Sequence, residues 1–115
     1  MTDERLATAK NVWLATVKPD GRPHLVPVWF VVLDERWYFV TAPKSVKARN
    51  LQNNAHVALA LEDGSSPHIV QGQAAIVERS AEVIGAFKQK YDWDITTDSQ
   101  YTQCYEVRVT KRVTG

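Results

Sequence analysis

The chain has 115 residues, of which 14 are Lys or Arg, 13 are Asp or Glu, and 44% are hydrophobic. A net charge of +1 gives no long-range field for a polyanion, so we expect a small-molecule partner and neither nucleic acid nor a membrane surface. The single cysteine, Cys104, excludes an internal disulfide and gives no support for a zinc site. It stands in a strand-like run, which predicts a buried thiol.

No stretch of the sequence resembles a signal peptide or approaches the ~20 apolar residues of a membrane span. We therefore expect a cytoplasmic protein. The hydrophobic periodicity changes in an orderly way along the chain, without a linker, repeat or low-complexity tract. This pattern predicts a single domain over residues 1–115.

The predicted elements follow one another through short connections. Pro19-Asp20-Gly21 is a turn signal that joins the first two strands into a hairpin. Ser45 and Ser80 are predicted N-caps of two helices. In chain order we predict a helix over 3–10 with a cap at Thr2, strands over 11–18, 22–33 and 37–42, a helix over 45–53, strands over 56–61 and 68–78, a helix from Ser80 with Val83, Ile84, Phe87 and Tyr91 on one face, an irregular segment over 92–100, and a strand over 101–113.

This order of elements predicts a mainly β protein, a small six-stranded antiparallel barrel with short flanking helices. Pro27 lies inside a predicted strand but has no N–H for a ladder, so it marks a sheet edge, a bulge or an opening where ligands bind. Gly72, within the fifth strand, predicts a bend or a close approach of two backbones.

The segment 41–51 predicts a phosphate site. It places a helix start and three cations, Lys44, Lys47 and Arg49, directly after an apolar strand, and no Asp or Glu occurs between Arg36 and Leu61. Free N–H groups at a helix start and nearby cations together favour an anion such as a phosphate monoester. A solvated basic helix is the alternative interpretation of the same segment.

Five segments of the chain form a characteristic series. They are Leu14-Ala15-Thr16-Val17, Asp20-Gly21-Arg22-Pro23-His24, Val26-Pro27-Val28-Trp29-Phe30, Tyr38-Phe39-Val40-Thr41 and Ser45-Val46-Lys47-Ala48-Arg49-Asn50-Leu51. In this order and spacing they resemble the pyridoxamine 5'-phosphate oxidase-like, flavin-binding split-barrel superfamily, and its deazaflavin-dependent branch in particular. The resemblance covers about residues 6–77, and the strand around Glu106-Val107-Arg108 is similar to the family's closing strand.

The resemblance implies a six-stranded antiparallel split β-barrel that forms a homodimer, with FMN or a deazaflavin coenzyme in a groove between the subunits. Trp29 and Phe30 point to opposite faces of their strand, so at most one of them should face the ligand. The cofactor-binding residues that the resemblance implies are Val28, Trp29 and Phe30 at the flavin ring, Thr41, Ala42 and Ser45 at the ribityl chain and phosphate, Lys47 at the phosphate, Arg49 and Asn50 in the adjoining helical turn, and Gln71 near the ring from the opposite subunit.

The chain also departs from the family pattern. A true pyridoxamine phosphate oxidase has a lysine shortly after the segment that matches Trp29-Phe30, where this chain has Val31-Val32-Leu33, which argues against oxidation of pyridoxamine phosphate. The leading hypothesis is an FMN-binding oxidoreductase that transfers hydride or electrons between a flavin-type cofactor and a small molecule. The alternatives are a deazaflavin-dependent reductase and a non-catalytic flavin-binding or storage protein.

The remaining candidate residues predict structural roles. His24, His56 and His68 have no metal-ligand spacing, so we expect surface or turn histidines and no metal. Trp13, Trp29 and Trp37 alternate with aliphatic residues, which predicts positions in the core and the dimer interface, and Trp93 is a candidate cap of the cofactor groove. No catalytic residue is identified, and the cofactor would carry the redox chemistry.

Overall fold

The computed structural model describes residues 3–113. It consists of a curled sheet with three short α-helices. The strands are β1 (Val12–Val17), β2 (Pro23–Val28), β3 (Val31–Leu33), β4 (Arg36–Thr41), β5 (His56–Leu61), β6 (Ile69–Val77) and β7 (Gln103–Val113). The helices are α1 (Arg5–Thr8), α2 (Val46–Asn53) and α3 (Ala81–Tyr91), followed by a 3-10 turn over Ile95–Thr97.

All seven strands belong to one sheet in the order β2-β1-β5-β6-β7-β4-β3, and each neighbouring pair is antiparallel. The main core lies on the inner face of this sheet, where Leu14, Phe39, Leu59 and Val107 are at most 1% exposed. The protein is therefore a mainly β, antiparallel split barrel, as the sequence predicts.

The predicted count of six strands is wrong by one, because the predicted strand 22–33 is divided in two. β2 forms one edge of the sheet and β3 forms the opposite edge, although only Trp29 and Phe30 separate the two strands in the chain. The chain thus crosses from one sheet edge to the other at these two residues. We call this crossing the split.

Two backbone predictions are confirmed. Pro27 lies on the edge strand β2, opposite Trp13 of β1. An edge strand has a neighbouring strand on one side only, so the missing N–H of Pro27 costs no hydrogen bond to a strand on the other side. Gly72 lies at a β-bulge of β6, and a Cβ there would overlap the carbonyl oxygen of Arg108 on β7. The two backbones approach closely at this point, which only glycine permits.

The predicted caps of α2 and α3 are also confirmed. The Ser45 hydroxyl accepts the N–H of Ala48, and the Ser80 hydroxyl accepts the N–H of Val83, each at 3.2 Å. The first helix is shorter than predicted, and its proposed cap at Thr2 lies outside the described residues. In the described part of the chain, none of the helices is long and apolar enough to cross a membrane.

Helix α3 covers one end of the barrel through a second apolar cluster. Val83 and Phe87 from this helix are buried against Val40 and Cys104 of the sheet. Burial raises the pKa of the Cys104 thiol to about 11. This confirms the predicted buried thiol, which stays protonated at neutral pH.

The prediction for the histidines is only partly right. His56 is exposed, as expected, but His24 lies half-buried within β2 and His68 is only 6% exposed. The His68 Nδ1 lies 3.0 Å from the carboxylate of Asp3, which also binds Arg5. Sequence periodicity misses this cluster because its members lie 65 residues apart. Arg5 first, and then His68, hold the pKa of the Asp3 carboxyl well below its usual range.

Candidate functional site

At the split the backbone has left the sheet, and side chains of α3 provide hydrogen-bond partners for its N–H and C=O groups. The N–H of Phe30 donates to the Tyr91 hydroxyl at 2.9 Å, and that hydroxyl lies 3.0 Å from the Phe30 carbonyl and 2.8 Å from the Lys10 carbonyl. A buried backbone group without a partner is costly, so these contacts fix the path of the chain here. The end of α3 therefore positions Trp29 and Phe30.

Lys90 strengthens the same junction. Its ammonium donates to the carbonyl of Phe30 at 2.9 Å and to that of Leu6 at 3.1 Å, and it lies 3.8 Å from the Phe30 ring centroid. Burial lowers the pKa of Lys90 to about 8. Lys90 ties the N-terminal segment, the split and α3 together.

A cleft of about 570 Å³ opens beside the split. Its size falls within the range of small-molecule sites, about 300–1,000 Å³. Residues from the start of β1, the end of β2, β4, α2 and the segment around the end of α3 form its wall. They are Asn11, Pro27, Val28, Trp29, Val40, Lys47, Tyr91, Asp92, Trp93, Asp98 and Tyr101.

One end of the cleft, which we call the cationic end, is formed by Lys47 and the start of α2. The hydroxyl of buried Thr41 lies 3.0 Å from the Ser45 hydroxyl and so fixes the cap. The N–H groups of Val46 and Lys47 follow the cap and have no acceptor within the helix. Burial lowers the pKa of Lys47, and no carboxylate of residues 3–113 pairs with this ammonium. Free N–H groups and a partly desolvated cation together suit an anion.

A second part of the cleft wall, which we call the aromatic end, is built from rings of the split and of the segment at and after the end of α3. Trp29 stacks on Tyr91 with centroids 4.4 Å apart and an interplanar angle of 3°. Trp93 meets Trp29 edge-on at 5.7 Å, and Tyr101 meets Trp93 edge-on at 6.0 Å. Such offset and edge-on pairs hold the rings in fixed positions.

A carboxylate is also fixed at the aromatic end. The Asp98 Oδ1 accepts the N–H of Tyr101 at 2.8 Å and that of Gln100 at 2.9 Å. These two bonds, that of Tyr101 first, lower the pKa of Asp98. The other acidic residue of the cleft wall, Asp92, forms an ion pair with Lys88 at 2.7 Å.

Of the cofactor-binding residues that the family resemblance implies, Val28, Trp29 and Lys47 line the cleft. Phe30 does not, because it is 1% exposed and stacks on Trp37 in the core. The expectation that only one of Trp29 and Phe30 faces a ligand site agrees with this arrangement. Trp37 is core, as predicted, and Trp93 lies in the cleft wall.

A second group of the predicted residues holds α2 in place. Thr41 and Ser45 form the cap, and the carbonyl of Ala42 accepts the N–H of Ser45 at 3.1 Å. Asn50 is buried and donates to the Thr16 hydroxyl at 3.0 Å, which joins α2 to β1. These residues position the start of the helix.

Two predicted residues lie away from the cleft of their own chain. Arg49 lines a separate groove with Lys18 and Arg22, beside the turn between β1 and β2. Gln71 is exposed on β6, on the outer face of the sheet.

Sequence reasoning missed most of the aromatic end. The sequence predicts Tyr91 only as part of a helix face, Asp98 only as part of the irregular segment 92–100 and Tyr101 only as the start of the last strand. A usable signal was present, because 91–101 combines three aromatic residues with Asp92, Asp94 and Asp98 in a segment without regular periodicity. In the part of the chain that the structure describes, no group of His, Cys, Asp and Glu is arranged to hold a metal ion.

The outer face of the sheet next to the cleft is apolar. Registers place Trp13 opposite both Pro27 and Ala60, and Ala15 opposite both Leu25 and Ala58. Residues that face each other across strands share one side of a sheet. Trp13 is 38% and Leu25 is 61% exposed. We call this surface the outer apolar face; its members are Trp13, Ala15, Leu25, Pro27, Ala58, Ala60 and Ile69.

Solved structures share this fold at low sequence identity. HutZ, the heme storage protein from Vibrio cholerae, has a TM-score of 0.79 and 22% identity, with 94% of this chain and 87% of that chain covered. An F420 reductase has a TM-score of 0.72 and 24% identity, with 98% and 97% covered. A putative pyridoxamine 5'-phosphate oxidase from Lactobacillus delbrueckii has a TM-score of 0.72 and 19% identity, with 99% and 93% covered.

At these identities the structures establish the fold alone. No protein of curated function has a significantly matching sequence. A family model described as pyridoxamine 5'-phosphate oxidase matches residues 2–112, nearly the whole chain. The chain therefore belongs to the pyridoxamine 5'-phosphate oxidase-like family of split barrels.

Proposed function

We propose that the protein binds a flavin-type cofactor, FMN in the first instance, through its phosphate at the cationic end of the cleft. The observation that carries this proposal is Lys47. Its ammonium is half-buried in the cleft wall, it has lost part of its hydration, and no carboxylate of the described residues compensates for this loss. A phosphate bound there would do so.

The remaining residues of the cleft fit the rest of such a cofactor. Pro27 and Val28 provide an apolar wall beside the split, which suits a planar ring. Thr41 and Ser45 hold the helix start that would direct N–H groups at the phosphate. When bound, the cofactor would supply the transfer of hydride or of electrons.

We propose further that the protein is a homodimer and that the second copy completes the cleft. Pro27 belongs both to the cleft wall and to the outer apolar face, so a copy seated on that face would border the cleft. Exposed apolar patches of this kind mark protein interfaces. Gln71 lies on the same side of the sheet, where it would reach the partner's cofactor.

On this basis the protein is an oxidoreductase that acts on a small molecule. The F420 reductase of the same fold supports a deazaflavin as the alternative cofactor, because such a coenzyme also offers a phosphate to Lys47. A non-catalytic flavin-storage role is the second candidate. HutZ is a heme storage protein, but among residues 3–113 the cleft wall here has no His, Cys or Met for a heme iron.

Mass spectrometry of the small molecule released by denaturing the purified protein tests the cofactor. FMN or a deazaflavin is the expected result, and a protein that releases neither and binds neither on addition would contradict the proposal. Bleaching of the bound cofactor by NAD(P)H or by a reduced deazaflavin distinguishes an oxidoreductase from a storage protein.

Light scattering tests the dimer. Leu25→Glu places a charge on the outer apolar face and should yield monomers with weakened cofactor binding. Ile76→Glu is the matched control, because Ile76 is 54% exposed but lies on the other side of β6. A stable wild-type monomer that binds the cofactor at full affinity would contradict the dimer.

A further inference from the structure

The aromatic end of the cleft has a feature that cofactor binding does not require, namely a fixed carboxylate among exposed aromatic rings. We propose that Trp29, Trp93, Tyr101 and Asp98 form the substrate subsite, and that this subsite selects planar organic cations such as N-alkylated aromatic heterocycles. The assignment rests on the proposed function in one respect, since it takes the cationic end to be occupied by the cofactor.

The rings are exposed where burial would be expected. Trp29 is 39% and Tyr101 is 42% exposed, although both are large aromatic residues in the wall of a concave site. Trp29 is held flat against Tyr91, so it loses little conformational freedom when a ligand stacks beside it. A preformed aromatic wall of this kind suits a flat ligand.

The charge of the aromatic end favours a cation. Asp98 stays ionised because backbone N–H groups stabilise its carboxylate, and both bonds end on Oδ1. Asp92 is paired with Lys88 and lies mostly in solvent, whereas Asp98 is partly buried beside Tyr101 and Trp93, so Asp98 is the carboxylate that a ligand among the rings would meet. The faces of aromatic rings attract cations as well.

The cations around the cleft lie on other elements than Asp98. The Lys10 ammonium lies 5.5 Å from the Trp29 ring centroid, in a neighbouring groove and not in the cleft wall. Lys47 lies on α2 and belongs to the cleft wall, but it is not paired with Asp98. An anionic phosphate and a cationic ring would therefore bind to different elements of one cleft.

Three probes that share one ring and differ in charge test the proposal: 1-methylnicotinamide, nicotinamide and nicotinate. Binding is measured by quenching of tryptophan fluorescence, with the protein as purified and again after addition of FMN. We expect the cation to bind at least about tenfold more tightly than the anion, with the neutral amide between them. Equal affinities, or no binding of any probe, would overturn the subsite.

Asp98→Asn isolates the charge, because the amide oxygen of Asn can still accept the two backbone N–H groups. Affinity for 1-methylnicotinamide should fall by about fivefold to tenfold, while affinity for nicotinamide stays the same. Asp92→Asn is the matched control and should change neither value. A loss of affinity for the neutral probe as well, with an unchanged melting temperature, would show that the carboxylate does not act by its charge and would contradict the proposal.

The two measurements, of FMN binding and of probe binding, separate the subsite from the proposed function. FMN binding without a preference for the cationic probe leaves the proposed function in place and removes the subsite. A preference for the cation without FMN binding removes the proposed function and leaves the selectivity of the aromatic end.

Discussion

Two half-buried lysines flank the split, and the fold uses them differently. Burial lowers the pKa of both. The Lys90 ammonium donates hydrogen bonds to two groups of the chain itself, the carbonyls of Phe30 and Leu6, and it lies over the Phe30 ring. Lys47 lines the cleft, and no carboxylate among residues 3–113 pairs with it.

The difference shows how a structural cation can be distinguished from a binding cation in one fold. The desolvation cost of a buried ammonium must be offset by hydrogen bonds or by an opposite charge. At Lys90 the chain itself supplies acceptors, so this residue acts on stability. At Lys47 the chain does not supply a counter-charge, so we expect this residue to act on ligand binding.

The largest expected effect on stability is at the Tyr91 hydroxyl, which contacts the Phe30 carbonyl together with Lys90. Tyr91→Phe keeps the ring that stacks on Trp29 but leaves the N–H of buried Phe30 without its acceptor. An unsatisfied buried group costs about 1–3 kcal/mol, so we expect a loss of about 2 kcal/mol in the free energy of unfolding. Urea denaturation measures it, and an unchanged midpoint would show that the hydroxyl does not fix the split.

Lys90→Met should have the next largest effect. The substitution keeps a flexible apolar stem and removes the two bonds to carbonyls. Because the Phe30 carbonyl retains the Tyr91 hydroxyl, we expect a loss of about 1 kcal/mol at pH 7, again by urea denaturation. A gain in stability would mean that desolvation of the ammonium outweighs its hydrogen bonds.

The same pair of proteins gives a pH test. The pKa of Lys90 is about 8 in the folded protein, against 10.5 for an ordinary lysine. Between these two pH values the unfolded chain therefore binds more protons than the folded chain. The stability of the wild type relative to Lys90→Met should therefore rise as the pH increases through this window. A difference that stays constant from pH 7 to 10.5 would contradict the lowered pKa.

The smallest effect on stability should be at the other lysine. Lys47→Ala removes no bond that the described chain makes, and we expect a change below about 0.5 kcal/mol in the free energy of unfolding. Lys44 is exposed just before the cap, so Lys44→Ala should likewise change the free energy of unfolding by less than about 0.5 kcal/mol. Unfolding of Lys47→Ala at a clearly lower urea concentration would assign Lys47 a structural role.

Local signals predicted much of this fold. The Pro19-Asp20-Gly21 hairpin, the caps at Ser45 and Ser80 and the edge position of Pro27 each depend on residues close in sequence, and all are confirmed. Lys47 could likewise be identified from the sequence as a candidate phosphate ligand, because the start of the helix and the cation lie in one short segment.

Contacts between distant segments were not accessible in this way. The break after β2 depends on Tyr91, which lies 61 residues from Phe30. Within 22–33, Pro27 indicates an edge or an opening but does not show that the chain leaves one sheet edge for the other. His68 is buried because of Asp3, 65 residues away. The aromatic end joins Trp29 to residues after α3, so its composition was visible in the sequence but its assembly into one wall was not.

Titration of the apoprotein with FMN tests the binding role of Lys47 most directly. For Lys47→Ala we expect a loss of about 1.5–3 kcal/mol, or about tenfold to a hundredfold in affinity, because a charge-assisted bond to phosphate is removed. Lys44→Ala should bind FMN much as the wild type does. Equal affinities in all three proteins would contradict the assignment of Lys47 to the cofactor phosphate.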